Sequence, residues 1–315
     1  MDGWTARLIE RARRKEVLRS ESALHEASYG ATPLNAIEEI LRLHPEANFR
    51  RDDNGRIPLH WTLASKKQHP KARLLLQSMM EHQHELNIDL SEILLLRNDL
   101  GYTALDHACC SDCPPDILET LLKICPKAAQ ETNAKKLGKT PLHMLIEYNK
   151  SNRVSMNSIS IYLLLKAFSG AVSVKDRIGN IPLHYACYPN TNYNAFQLLL
   201  RETKKVDAIM ERNCIGQTAL HFACIFDAPK LVVENLLHFA PSSVSCRDDG
   251  GNTPLHLAFS HRSSLDLKQT LILSGGEMLL AISNEKNKLP LQEGHVEDIY
   301  GILRLMPHIV KPSIY

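Results

Sequence analysis

Cys110 and Cys113 stand at C-x-x-C spacing, with His107 just upstream. Thiolates and an imidazole this close are the residue types of a zinc site or a dithiol redox centre. A closed zinc site takes four ligands, usually as two separated pairs, and no second C-x-x-C occurs in the chain. Cys109 falls at a position that recurs as Cys187 and Cys224 in a repeated phrase, where a free thiol packs as a small hydrophobe. Structural cysteines are the expected reading, and a zinc or redox site at Cys110 and Cys113 is the alternative. The 15 histidines also invite metal or acid–base chemistry. At least six of them, counting His25, belong to the same repeated phrase. His82 and His84 alternate in a polar insertion, EHQHE, which reads as a surface loop. The chain has no G-x-S-x-G elbow, H-E-x-x-H helix or glycine-rich phosphate loop. Its carboxylates are scattered. No catalytic residue, metal ligand or cofactor is assigned.

The elements that must position these residues form a repeat. The phrase runs GRIPLHWTL from Gly55, GYTALDHAC from Gly101, GKTPLHMLI from Gly138, GNIPLHYAC from Gly179, GQTALHFAC from Gly216 and GNTPLHLAF from Gly251. Weaker copies carry Leu24 with His25, and Pro290 with Leu291. The key leucines Leu24, Leu59, Leu105, Leu142, Leu183, Leu220, Leu255 and Leu291 recur at spacings of 35, 46, 37, 41, 37, 35 and 36 residues. Each copy precedes an apolar stretch that in several repeats ends at a proline. Ile117, Leu118, Leu121 and Leu122 illustrate it, with one apolar face at helical period before Pro126. The unit therefore predicts helix, turn, longer helix, loop.

The phrase also accounts for its own ends. Thr140 and Thr253 sit where a helix N-cap belongs, and Pro141 and Pro254 follow at the first helical position, where a missing N–H costs nothing. Three residues before a glycine stand Asp52, Asn98, Asp176, Asn213 and Asp248, the chemistry of a turn. In the last copy Asn284 keeps that role, and Asn287 replaces the glycine as a residue that tolerates a left-handed backbone.

These residues resemble the ankyrin repeat, whose motif reads G-x-T-P-L-H-x-A. The resemblance covers nearly the whole chain, residues 22–310. It implies an all-α fold, an ankyrin-repeat α-solenoid of about eight helix-turn-helix repeats with β-turn finger loops. An N-terminal basic helix or cap over residues 1–21 and a tail over 311–315 would flank it. Some positions depart from the pattern. Asp106 replaces the motif histidine in the third copy, with His107 shifted by one, and Gln292 replaces it in the last, while Trp61 and Thr62 crowd small-residue positions in the second. Insertions around Gln83 to Ser91 and Lys150 to Ser158 lengthen two repeats.

The resemblance further implies that His60, His143, His184, His221 and His256 hydrogen-bond within and between turn loops. It places a protein partner on the concave face, over the fingers and the ends of the first helices. By position the fingers offer Arg56, Tyr102, Lys136, Lys139, Arg177, Asn180 and Gln217, and the first-helix ends offer Tyr148, Tyr188, Ile225, Phe226 and His261. Tyr148, Tyr188 and Phe226 fill one slot in three successive repeats, an expected row of exposed aromatics of the kind interface hot spots use. Coverage by the variable loops is the alternative there.

Composition bounds the partner class. The 315 residues are 44% hydrophobic and 23% charged, as in a folded globular chain. Lys and Arg total 37 against 35 Asp and Glu, and a net charge of +2 argues against a nucleic-acid or anionic-membrane partner. The fingers are locally basic, through Arg50, Arg51, Arg56, Lys135, Lys136, Lys139, Lys175 and Arg177. A solvated face is the default reading of these charges, recognition of an acidic protein segment is the sharper one, and nucleic-acid or nucleotide binding is the alternative. No apolar run approaches the ~20 residues of a membrane span. Arg11, Arg13, Arg14 and Lys15 stand where a secretion signal would be apolar. Eight cysteines are too few for a disulfide scaffold, so reduced thiols in a cytoplasmic or nuclear monomer are expected. The reading as a whole is a non-enzymatic interaction scaffold or adaptor.

Overall fold

The computed structural model describes residues 5–7, 9–10, 23–152 and 158–305. Most of the basic N-terminal segment, the insertion after Asn152 and the tail from 306 onward lie outside the described residues. The chain divides into two compact units. One comprises residues 1–148 and 162–171, and the other residues 149–161 and 172–315.

The described residues form helix pairs. The first unit contains α1 (Ala23–Tyr29) with α2 (Leu34–Leu43), α3 (Pro58–Leu63) with α4 (His69–His82), the single short α5 (Leu90–Leu95), and α6 (Ala104–Cys109) with α7 (Pro115–Ile124). The helices α8 (Pro141–Asn152) and α9 (Ser158–Ala167) follow. The second unit contains α10 (Pro182–Tyr185) with α11 (Tyr193–Lys205), α12 (Ala219–Ile225) with α13 (Lys230–Phe239), α14 (Pro254–Ser260) with α15 (Leu265–Gly275), and α16 (Pro290–Glu293) with α17 (Val296–Leu305). Counting α8 with α9, the pairs number eight among the described residues. The insertion around Gln83 is more than a loop. Asp89 caps α5 by accepting from the Ser91 amide at 2.8 Å, and α5 buries Leu90 and Leu94.

Amphipathic spacing explains the second helices. In α7 the residues Ile117, Leu118, Leu121 and Leu122 are buried, while Asp116 and Lys123 face solvent. The helix ends at Ile124, and Pro126 opens a 3-10 turn over Pro126–Gln130. Pro45 and Pro241 open the same kind of turn. The motif leucines from Leu24 to Leu255 are at most 1% exposed, so each is sealed between neighbours. Leu291, in the last described pair, stands at intermediate exposure.

Each finger is a turn closed by its own side chain. Asp176 Oδ1 accepts from the Ile178 amide at 3.0 Å and the Asn180 amide at 2.9 Å, and Asp52, Asn98, Asn213, Asp248 and Asn284 make the same pair of bonds. The glycine is required twice over. Gly179 has φ of 78°, and a Cβ there would sit 2.7 Å from the Cys214 amide nitrogen of the next finger. Gly179→Ala should lower stability by at least about 1–2 kcal/mol, read as a reduced urea midpoint. Gly276 has a similar φ of 76° but ψ of 171°, a region essentially reserved for glycine, with nothing within 4 Å of an added Cβ, so Gly276→Ala should cost stability through backbone strain alone.

Candidate interaction surface

The histidine of the motif fixes the fingers. In the second repeat, the Ile57 amide donates to His60 Nδ1 at 3.1 Å, and Nε2 donates to the Tyr102 carbonyl of the next finger at 3.2 Å. His184, His221 and His256 repeat this pattern, reaching Gln217, Asn252 and Lys288. A ring nitrogen that accepts from an amide carries no proton, so these imidazoles are neutral with the proton on Nε2. Burial pushes His60, His184 and His221 down to about 4, against backbone hydrogen bonds that act the other way.

The departures keep half of this device. In the third copy the Thr103 amide donates to Asp106 Oδ2 at 3.0 Å, and the Asp106 amide donates back to Thr103 Oγ1 at 3.2 Å. Asp106 Oδ1 is buried with no hydrogen-bond partner, and burial raises this carboxyl to about 6. In the last copy the Leu289 amide donates to Gln292 Oε1 at 2.8 Å. His107 is not a displaced motif histidine. Its Nε2 accepts from Asn98 Nδ2 at 3.0 Å, nine residues from the turn-starter, as Trp61 bonds Asp52 and Tyr185 bonds Asp176.

A second clamp was not anticipated from the sequence. The residue before the turn-starter is often arginine, and it lies across two fingers. Arg212 Nε donates to the Gly216 carbonyl at 2.8 Å and Nη2 to the Arg247 carbonyl at 2.6 Å. Arg51 and Arg247 bridge in the same way, while Arg97 bonds Gly101 and pairs with Glu131 at 2.6 Å. The recurrent Arg-Asp or Arg-Asn dipeptide was the available signal.

In the first unit the expected partner-binding residues divide by burial. The Arg56 guanidinium lies 4.2 Å from the Trp61 ring centroid, and Tyr29 meets Trp61 edge-on at 5.0 Å. The Lys136 ammonium lies 5.5 Å above the Tyr102 ring, and His107 flanks Tyr102 at 5.0 Å. Tyr148 is half-buried. Lys139 was expected on the surface, but it is buried and pairs with Glu147 at 2.7 Å.

The second unit corrects three further expectations. Asn180 is buried because its Nδ2 donates to the Tyr185 hydroxyl at 3.2 Å and its Oδ1 accepts from Asn213 Nδ2 at 3.0 Å. Gln217 is buried where its backbone bonds Asn213 and His184. Tyr188, expected as an exposed aromatic, is 6% exposed because its ring packs 4.2 Å from Phe226. Phe226 and Ile225 are half-exposed, and Arg177 and His261 are open to solvent.

The alternative chemistries gain no support. Burial raises the Cys110 and Cys113 thiols to about 12, which leaves them poor nucleophiles and ligands. Among the described residues no group of three or more His, Cys, Asp or Glu side chains is placed to hold a metal ion. The Trp61 and Tyr102 faces are covered by cations rather than open to stacking bases. No helix among the described residues is long and apolar enough to cross a membrane.

Paired helices, stapled turn fingers and motif leucines sealed between copies define a repeat protein. The chain belongs to the ankyrin-repeat family, whose model of three repeat copies matches residues 24–130 and 183–280. Over 71 residues, 22% of this chain, it is 35% identical to a probable serine/threonine-protein kinase of Dictyostelium discoideum, matching 7% of that protein. Over 152 residues, 48% of this chain, it is 28% identical to the probable 26S proteasome regulatory subunit p28 of Saccharomyces cerevisiae, matching 57% of it. The chain thus spans less than two thirds of either curated relative. The ankyrin repeat domain of Bcl-3, a member of the IkappaB protein family, aligns at a TM-score of 0.56 and 23% identity over 80% of this chain and 100% of that one. That likeness is one of fold.

Proposed function

We propose that the chain is a non-enzymatic docking module that seats a protein partner on its finger and first-helix surface. The observation that carries this is the pre-organisation of the fingers. Each turn backbone is held by its own Asp or Asn, and in five places among the described residues by the preceding repeat's histidine. Arginine clamps add a further bond between fingers. Side chains on such a rigid backbone bind with little ordering cost. The exposed or half-exposed Arg56, Tyr102, Lys136, Tyr148, Arg177, Ile225, Phe226 and His261 are the candidate contacts. All eight cysteines are free thiols, which supports a reducing, cytoplasmic or nuclear setting for a monomeric adaptor.

The test is crosslinked affinity capture from the source cell, comparing the unaltered chain with Tyr148→Ala/Phe226→Ala. A variant at Glu234, exposed on the outer helix α13, serves as the control. The paired variant should lose most of the captured partner at a temperature where circular dichroism shows it still folded, although uncovering Tyr188 lowers its thermal midpoint. Full retention would remove this surface from consideration.

A further inference from the structure

We infer that the finger edge of the first unit seats an extended acidic protein segment. Its carboxylates would meet Arg56 and Lys136, and an aliphatic side chain would lie between the finger tips Leu100 and Leu137. This rests on the docking reading above and assigns the partner's chemistry.

Charge is the first argument. Among the described residues, Arg97 and Lys139 in this unit, like Lys175 and Arg212 in the other, have carboxylate partners. Arg51, Arg56, Lys135 and Lys136 have none: Arg51 and Lys135 bond carbonyls, and Arg56 and Lys136 lie over rings. Against these four cations the same fingers expose Asp53 and Asp99. A cation parked on an aromatic face is held in place but retains its full charge for an incoming anion.

The second argument is the backbone of the fourth finger. Asn133 and Gly138 are five residues apart rather than three, and the extra length forms a 3-10 turn over Ala134–Lys136. Leu137 then adopts φ of 60°. The other non-glycine residues with positive φ among those described are Asn, Asp or Arg, so Leu137 is the aliphatic exception. Strain of this kind persists where surroundings impose it, and it tends to mark functional segments. Its result is a leucine 46% exposed, on the finger that follows the one carrying Leu100, which is 54% exposed.

The third argument is a break in the finger ladder. The Asp99 amide donates to the Asn54 carbonyl at 3.0 Å, and the second unit repeats this bond at the Ile178, Ile215 and Gly250 carbonyls. Among the described residues no backbone amide reaches the equivalent Leu100 carbonyl, and Lys135 reaches across to the Asp99 carbonyl instead. An extended segment could supply the missing amide, as in strand addition. Neighbouring helices pack about 8–10 Å apart, and an extended chain rises about 3.3 Å per residue. Arg56 stands on the second finger and the Lys136 ammonium reaches back over Tyr102 of the third, so the charged heads are about one spacing apart and the two carboxylates should be about two to four residues apart, with the aliphatic residue between them. Nucleic acid fits less well, because the aromatic faces are already covered and the tips are aliphatic.

The test pans a phage-displayed random dodecapeptide library on the full chain and measures enriched peptides by fluorescence anisotropy. Acidic peptides with that spacing should dominate, and Arg56→Glu/Lys136→Glu should weaken them about tenfold or more. Leu137→Gly should weaken them without lowering the thermal midpoint, since glycine suits the left-handed backbone, so lost binding is not lost folding. Enrichment of neutral or basic peptides, or acidic peptides indifferent to the double variant, would overturn the inference and leave the docking reading standing. An oligouridine RNA that binds with the same dependence on Arg56 and Lys136 would overturn it in favour of nucleic acid. A library with no binder at all counts against both readings.

Discussion

Leu183→Ala should lower the unfolding free energy by about 2–5 kcal/mol, the range for truncating a sealed leucine. Leu183 is 0% exposed, and its short helix α10 packs on α11 and α12. The side chain fills a seam that a single repeat cannot close alone, so its loss removes both apolar burial and contacts across the repeat boundary. Leu291→Ala provides the internal comparison. It occupies the same motif position but stands at intermediate exposure, so it should cost clearly less. Urea midpoints of the two variants measure the difference. Equal midpoints would mean that position in the motif, rather than closure of a seam, decides the cost, and an unchanged Leu183→Ala midpoint would reject the buried placement.

What could be read beforehand was whatever lies within one repeat. The motif leucines, the turn-starting Asp and Asn residues and the helix-ending prolines act over a few residues, so spacing alone exposes them. What stayed hidden depends on the neighbouring repeat. Asn180 looks like a free finger residue until Asn213 reaches it. Tyr188 looks like an exposed aromatic until Phe226 stacks beside it, because rings spaced at the repeat period can satisfy one another. Lys139 reads as surface charge until Glu147 pairs with it. The arginine clamps were hidden for a related reason: a surface arginine reads as charge, whereas here its planar fork binds carbonyls across a gap. Arg56, Lys136 and Phe226 keep accessible surface because a ring lies against one side and leaves the other open.

Acid should unfold the second unit before the first. The folded state holds His184 and His221 neutral down to about 4 because they are buried, and burial lowers His256 as well. An unfolded histidine takes a proton near pH 6.5. Between these values the unfolded state binds more protons, so stability is fully present above about pH 6.5 and falls as pH drops towards 4. Each such histidine contributes a loss of about 1.4 kcal/mol per pH unit in that window. In the first unit, His60 at about 4, His107 at about 3 and His69, also lowered, act in the same direction, all chiefly through burial. Asp106 opposes them. Burial raises it to about 6 from 3.8, so the folded state takes up its proton first and gains stability as pH falls through 6. Trp61 lies in the first unit, so its fluorescence, read in a Trp4→Phe background, follows that unit while far-ultraviolet circular dichroism follows both. In a titration from pH 7.5 to 4.5 at fixed urea, ellipticity should fall before tryptophan emission changes. Asp106→Asn removes the opposing group and should bring the two transitions together, while raising stability at pH 8, where the ionised carboxylate keeps an unpartnered oxygen. Coincident transitions with Asp106 in place would show that the buried histidines do not govern acid stability, or that the stack unfolds as one.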